Sequence, residues 1–228
     1  MKPLYIPKGK AKEYGDYAVN IYTGCPHRCY YCFAPNVLHR DRETFHSHVE
    51  PRPGLVAALK AQLELEQIKD KLIHLCFTCD PYPAGCDSSV TREVIQIIKE
   101  SGNHVQILTK GCGTIDFDLL DGNDWYGITY DGSNSGQYRQ QLRLVDIHVA
   151  KSLGIRTWVS CEPVLDPGKV LSMLVGWHDV IDKVKIGKLN YHKSDINWKE
   201  FGRDAEQLCQ HLGLDYYIKE SLRKEMEE

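Results

Sequence analysis

The sequence predicts an α/β fold, a partial (β/α)6 barrel of the TIM type with parallel strands. Short β-rich runs alternate with amphipathic stretches, and that alternation argues for parallel strands joined by right-handed crossovers. Six such units fit into residues 17–212, whereas a complete eight-unit barrel takes about 250 residues, so the barrel is expected to be open. Composition is the third observation. With 28 Lys and Arg against 31 Asp and Glu and 42% apolar residues, the 228-residue chain has the make-up of a globular protein with a sizeable core. Its net charge of -3 speaks against broad, nonspecific polyanion binding, which needs clustered cations to displace counterions.

The elements follow in order from hydrophobic period and turn signals. Strand one, 17–22, lies between Gly15-Asp16 and Thr23-Gly24, and the helix at 55–69 starts behind Pro53-Gly54. Strand two, 72–78, alternates in polarity and is followed by a helix at 90–100. Gly102-Asn103 opens strand three, 104–110; a short helix at 116–120 and Gly122-Asn123 precede strand four, 125–130. The helix at 138–153 stops at Gly154, before strand five at 156–161. Pro167-Gly168 introduces a helix at 169–175, strand six covers 180–186, and an amphipathic helix at 197–212 ends at Gly213. Residues 1–16 are then an N-terminal extension, 17–212 the core and 213–228 a short tail, with no room for a second catalytic domain. No apolar run nears the roughly 18 residues of a membrane helix and the start has no signal-peptide stretch, so a cytoplasmic place without membrane partners is expected.

In such folds the chemistry sits at the carboxyl ends of the strands. On strand two, Ile73, Leu75 and Phe77 alternate with His74, Cys76, Thr78 and Asp80; the apolar set should meet helices and the polar set line the interior. The same parity turns Lys110, Thr129, Ser160 and Glu162 inward. Lys183, Lys185, Lys188 and Lys193 read as a solvated face.

Nine Cys is a high count for a reducing compartment, where clustered thiols point to a metal or to catalysis. Directly after strand one runs Thr23-Gly24-Cys25-Pro26-His27-Arg28-Cys29-Tyr30-Tyr31-Cys32. Three thiolates at this spacing can each take one iron of a cubane cluster and leave one iron open, whereas structural zinc wants a fourth protein ligand, here His27 or Cys79.

The loop resembles the signature of radical S-adenosylmethionine enzymes in its spacing, in the aromatic Tyr31 before the third Cys, and in its place after strand one. Pro7-Lys8-Gly9-Lys10-Ala11, Glu13-Tyr14, Asn20, Tyr22, Thr78, Asp80-Pro81-Tyr82 and Leu108-Thr109-Lys110 are similar to the branch that contains spore photoproduct lyase. The resemblance implies that Cys25, Cys29 and Cys32 bind a 4Fe-4S cluster whose open iron chelates S-adenosyl-L-methionine. One electron, supplied through reduced flavodoxin or ferredoxin, then cleaves that cofactor to a 5′-deoxyadenosyl radical that abstracts hydrogen from substrate. It further implies that Tyr31 lies beside the cofactor, that Thr78 and Asp80 hold the methionine amino group, and that Lys110 and Thr129 contact the methionine carboxylate or ribose. Ser160 or Glu162 would border the adenosine, and the substrate would be a nucleobase or nucleotide, including one within nucleic acid.

By the same resemblance a cysteine on strand two returns a hydrogen atom to the product; Cys76 is the first candidate and Cys79 the second. Cys79, Cys86, Cys112 and Cys161 fall near strand ends, which leaves an auxiliary cluster open. His39, His46 and His48, with Arg40 and Arg42, read as a mobile solvated loop, or as one that contacts a substrate. Two other readings remain: a radical enzyme acting on a peptide or small metabolite, and a non-enzymatic zinc or iron-sulfur module.

Overall fold

Among the residues described by the computed structural model, 2–134 and 137–227 without the side chains of Lys10 and Gln137, eight strands alternate with helices in an α/β fold. The chain divides into two units, residues 1–125 and 126–228. In the first, β1 (Leu4–Tyr5), β2 (Tyr17–Val19), β3 (Leu72–Leu75) and β4 (His104–Thr109) lie in chain order. β1 is antiparallel to β2; β2, β3 and β4 are parallel, with Tyr17 opposite Ile73 and Leu72 opposite His104. Its helices are α1 (Ala34–Val37), α2 (Arg42–Ser47), α3 (Leu55–Glu66) and α4 (Ser89–Glu100), with a 3₁₀ turn at Thr114–Leu119. Val94, Ile95 and Ile98 of α4 recur at helical spacing and are fully buried, as are Ile73 and Leu75 of β3 and Val105 and Ile107 of β4. Each such side chain contributes about 1.5–3 kcal/mol of burial.

The second unit carries all but the first residue of β5 (Trp125–Thr129), then α5 (Gln137–Ser152), β6 (Arg156–Cys161), α6 (Pro167–Trp177), β7 (Lys183–Ile186), α7 (Trp198–Leu212), β8 (Asp215–Ile218) and α8 (Glu220–Glu227). Strands β6, β7 and β8 are parallel, with Ser160 level with Lys185 and Lys185 with Tyr217. Gly127 of β5 makes room for the buried Trp158, since a Cβ there would stand 2.1 Å from the indole nitrogen. Gly127→Ala is therefore expected to cost about 1–3 kcal/mol through overpacking, seen as a lower urea midpoint at an unchanged m-value.

The six expected strands all form, and residues 1–16 and 213–228 add β1 and β8. Strand boundaries differ for local reasons. β3 stops at Leu75 because Cys76 adopts φ +68°, so the alternation of strand two does not extend to Cys76, Thr78 and Asp80. β7 starts at Lys183 because His178–Val180 forms a 3₁₀ turn. The lysine run is a solvated face only at Lys193: Lys185 is 5% exposed with its ammonium 5.3 Å from the Trp158 ring centre, and Lys183 pairs with Asp215 at 2.8 Å. No helix among the described residues is long and apolar enough to cross a membrane.

Candidate cofactor site

The three-cysteine loop leaves β2 and is laid against α2. Gly24 is required there, since a Cβ would fall 2.2 Å from the Phe45 carbonyl oxygen and 2.6 Å from that of His48. Cys25 N donates to Phe45 O at 3.2 Å, and Thr23 N to Glu50 O at 2.9 Å. α2 begins where Asp41 Oδ1 accepts from Thr44 N and Oγ1, each at 2.8 Å. From this helix Arg42 donates to the carbonyls of Cys29 (2.5 Å), Tyr30 (3.0 Å) and Cys32 (3.2 Å). His46, buried, holds its Nδ1 2.7 Å from Cys25 O, and Arg40 donates to Thr23 O. The segment read as a mobile loop is thus the brace of the cysteine loop. The sequence signals for α2 were a capping Asp41 and the apolar Phe45, but neither marks what the helix braces.

Facing the loop from β3 and β4 is a carboxylate hub. Asp80 Oδ1 accepts from Thr109 Oγ1 at 2.5 Å and Tyr82 N at 2.8 Å; Oδ2 accepts from Lys110 N at 2.7 Å. His27 Nε2 stands 3.0 Å from Oδ2, off the line of a good hydrogen bond. Burial alone would raise the Asp80 carboxyl, but His27, the Lys110 amide and the Thr109 hydroxyl hold it below the ordinary carboxylate range. Lys110 Nζ donates to Tyr31 Oη at 2.8 Å and lies 5.4 Å from that ring's centre, so Tyr31 and Lys110 meet as one pair. Asn20 Oδ1 accepts from both Phe77 N (2.8 Å) and Thr78 N (2.9 Å). Thr78 Oγ1 is buried with no hydrogen-bond partner among the described residues.

The remaining expected residues belong to the second unit. Thr129 and Ser160 are buried; Thr129 O accepts from Arg143 Nη2 at 3.1 Å and Ser160 O from Tyr130 N at 3.0 Å. Glu162 pairs with Lys219 Nζ at 3.1 Å, while Asp166 caps α6. Sequence reasoning missed Lys185 and Lys219, both nearly fully buried on or just beyond strands, because only the register sets them level with Ser160 and near Glu162.

All nine cysteines are free thiols. Burial pushes the Cys25 and Cys32 thiols up, so any metal bound there would displace their protons. Among the described residues no three His, Cys, Asp or Glu side chains converge as a metal site, which holds for Cys25, Cys29 and Cys32 and for Cys79, Cys86 and Cys112. The donor set itself fits an iron-sulfur cluster: three free thiols within eight residues, on a loop whose carbonyls are held by a separate helix.

No protein-family model matches the chain. A solved structure of spore photoproduct lyase, a tyrosine-to-phenylalanine variant, superimposes with a TM-score of 0.68 over 94% of this chain and 79% of that one, at 12% identity. The chain has the spore photoproduct lyase fold. The same lyase complexed with dinucleoside spore photoproduct matches at a TM-score of 0.66 and 13% identity, over 94% of this chain and 79% of that one. A doubly substituted form with bound AdoMet and dinucleoside spore photoproduct matches at 0.60 and 14%, over 92% of this chain and 65% of that one. In sequence, 111 residues are 32% identical to an uncharacterized protein of Mycobacterium tuberculosis and to one of Mycobacterium bovis. That stretch is 46% of this chain and 32% of each relative, so the chain matches about a third of the length of these curated relatives.

Proposed function

We propose that this chain is a radical S-adenosylmethionine enzyme acting on a nucleobase-containing substrate. The observation that carries the reading is the three-thiol loop placed directly after β2 in a chain that shares the lyase fold over 94% of its length. Cys25, Cys29 and Cys32 would hold a 4Fe-4S cluster, which, when bound and reduced by a flavodoxin or ferredoxin, supplies the electron that cleaves S-adenosyl-L-methionine to a 5′-deoxyadenosyl radical. The protein's part is positioning. The Thr78 hydroxyl, buried beside the Asn20-held turn, is an acceptor for the methionine ammonium; Asp80 fixes the backbone of Tyr82 and Lys110. Through its bond to Tyr31, Lys110 ties β4 to the end of the cysteine loop and puts a cation where a carboxylate can be met. Cys76 or Cys79 would return the hydrogen atom. The nucleotide class is supported by the dinucleoside bound in the lyase structures of the same fold.

A structural zinc module would need a fourth ligand, yet His27 is turned to Asp80 and Cys79 Sγ accepts from Tyr22 N at 3.4 Å. The deciding experiment uses anaerobically purified protein reconstituted with iron and sulfide, then given dithionite and S-adenosyl-L-methionine. Formation of 5′-deoxyadenosine supports the proposal, and nucleotides or oligonucleotides should raise its yield over peptides. Protein that takes up zinc and no cluster under these conditions overturns it.

A further inference from the structure

Cys76 and Cys79 enclose only Phe77 and Thr78, a Cys-x-x-Cys spacing that the proposed reaction does not use as a pair. The left-handed turn at Cys76, φ +68°, folds the chain back where β3 ends, so the two thiols face the same stretch of backbone and each influences the other's ionisation. Consecutive backbone amides face them: Ile21 N is 3.5 Å from Cys76 Sγ and Tyr22 N is 3.4 Å from Cys79 Sγ. Main-chain N–H groups aimed at sulfur favour the anion. Burial pushes the Cys76 thiol well up, and it remains the proton-bearing partner. Burial acts on Cys79 in the same sense, but the neighbouring Cys76 thiol, the amides of Tyr22 and Ile21 and the charge of Arg52 outweigh it and leave that thiol below its ordinary value. Cys79 is half-buried and Cys76 buried, which makes Cys79 the attacking sulfur and Cys76 the resolving one.

We propose that Cys76 and Cys79 form a redox-active dithiol that hydrogen peroxide converts to an intramolecular disulfide. The Cys79 thiolate attacks one peroxide oxygen; the O–O bond breaks, Cys79 becomes a sulfenic acid, and the departing hydroxide leaves as water with the proton that Cys79 had shed. Cys76 sulfur then attacks the sulfenic sulfur; the S–S bond forms, the S–O bond breaks, and the hydroxyl leaves as water with the Cys76 proton. Two thiols and one peroxide give one disulfide and two waters: each sulfur loses one electron, and the two peroxide oxygens are reduced. The couple forms without a cluster, although its two cysteines are the hydrogen-donor candidates of the proposed reaction. In the disulfide neither cysteine has an S–H to donate, and residues 76–79 become a closed ring next to the Asp80 hub.

The test treats the full-length chain with stoichiometric hydrogen peroxide, blocks remaining thiols by alkylation, and maps them by peptide mass spectrometry. Cys86 shares a tryptic peptide with the pair and is separated by fragmentation; Cys25, Cys29 and Cys32 are scored on their own peptides. The expected result is loss of two alkylatable thiols at Cys76 and Cys79, a peptide lighter by two hydrogens, and reversal by dithiothreitol. Cys76→Ser should halt at a Cys79 sulfenic acid captured by dimedone, and Cys79→Ser should leave Cys76 alkylatable at the same dose. Cys76 and Cys79 remaining alkylated while other cysteines oxidise, or either one paired with a third cysteine, overturns the proposal.

Discussion

Cys29→Ala is expected to abolish cluster loading and 5′-deoxyadenosine formation while moving unfolding stability by no more than about 1 kcal/mol. These two readouts part because of how the loop is held. Arg42 binds the carbonyl oxygens of Cys29, Tyr30 and Cys32, and His46 that of Cys25, all backbone groups that an alanine retains. The thiol of Cys29 can therefore be removed without unpinning the loop. Iron and sulfide analysis of the reconstituted variant should fall from about four irons per chain to background, with a urea midpoint close to that of the parent. A variant that still yields 5′-deoxyadenosine at the parent's rate would remove Cys29 from the cluster and with it the proposed function. Arg42→Ala supplies the contrast: its thiols remain, but the loop loses three hydrogen bonds, so cluster retention should weaken rather than vanish.

The cysteine loop was legible in the sequence because its meaning lies in spacing within ten residues, and strands such as 104–110 and 156–161 because both period and turn signals are local. What supports the loop was not legible. Residues 39–48 are mostly polar, and only the three-dimensional path shows that Arg40, Arg42 and His46 direct polar groups to carbonyls of the cysteine loop. Alternation failed on strand two for a different reason. One residue in a left-handed conformation resets the side-chain direction, and Cys76 carries no sequence mark of its φ of +68°. The Cys-x-x-Cys spacing of Cys76 and Cys79 was visible, but the turn that sets both thiols against the amides of Ile21 and Tyr22 was not. Lys185 and Lys219 show the limit of charge patterning: within a run of lysines that reads as surface, the strand register buries Lys185 against Trp158, and Lys219 is neutralised by Glu162.

Asp80→Ala is expected to destabilise the chain by about 3–5 kcal/mol, the cost of stripping a buried charged acceptor from its donors. The carboxylate takes up the Thr109 hydroxyl and the amides of Tyr82 and Lys110 while facing His27; alanine would leave these groups in a site where Asp80 is only 6% exposed. Asp80→Asn separates charge from hydrogen bonding. Its carbonyl can still serve Thr109 and Tyr82, but its NH2 would meet the Lys110 amide, donor against donor, so a loss of about 1–3 kcal/mol is expected. The sign with pH follows from the direction of the shift. Because folding lowers the Asp80 carboxyl below its ordinary value, its contribution is present above the unfolded value near 4 and is lost as pH falls through the folded one. Urea unfolding from about pH 6 down to pH 2 should show the parent losing its advantage over Asp80→Ala in the acid half of that range. Equal stability of the two chains at pH 6 would mean that the hub does not organise this turn. Thr78 and Lys110 would then have to be positioned by Asn20 and Tyr31 alone.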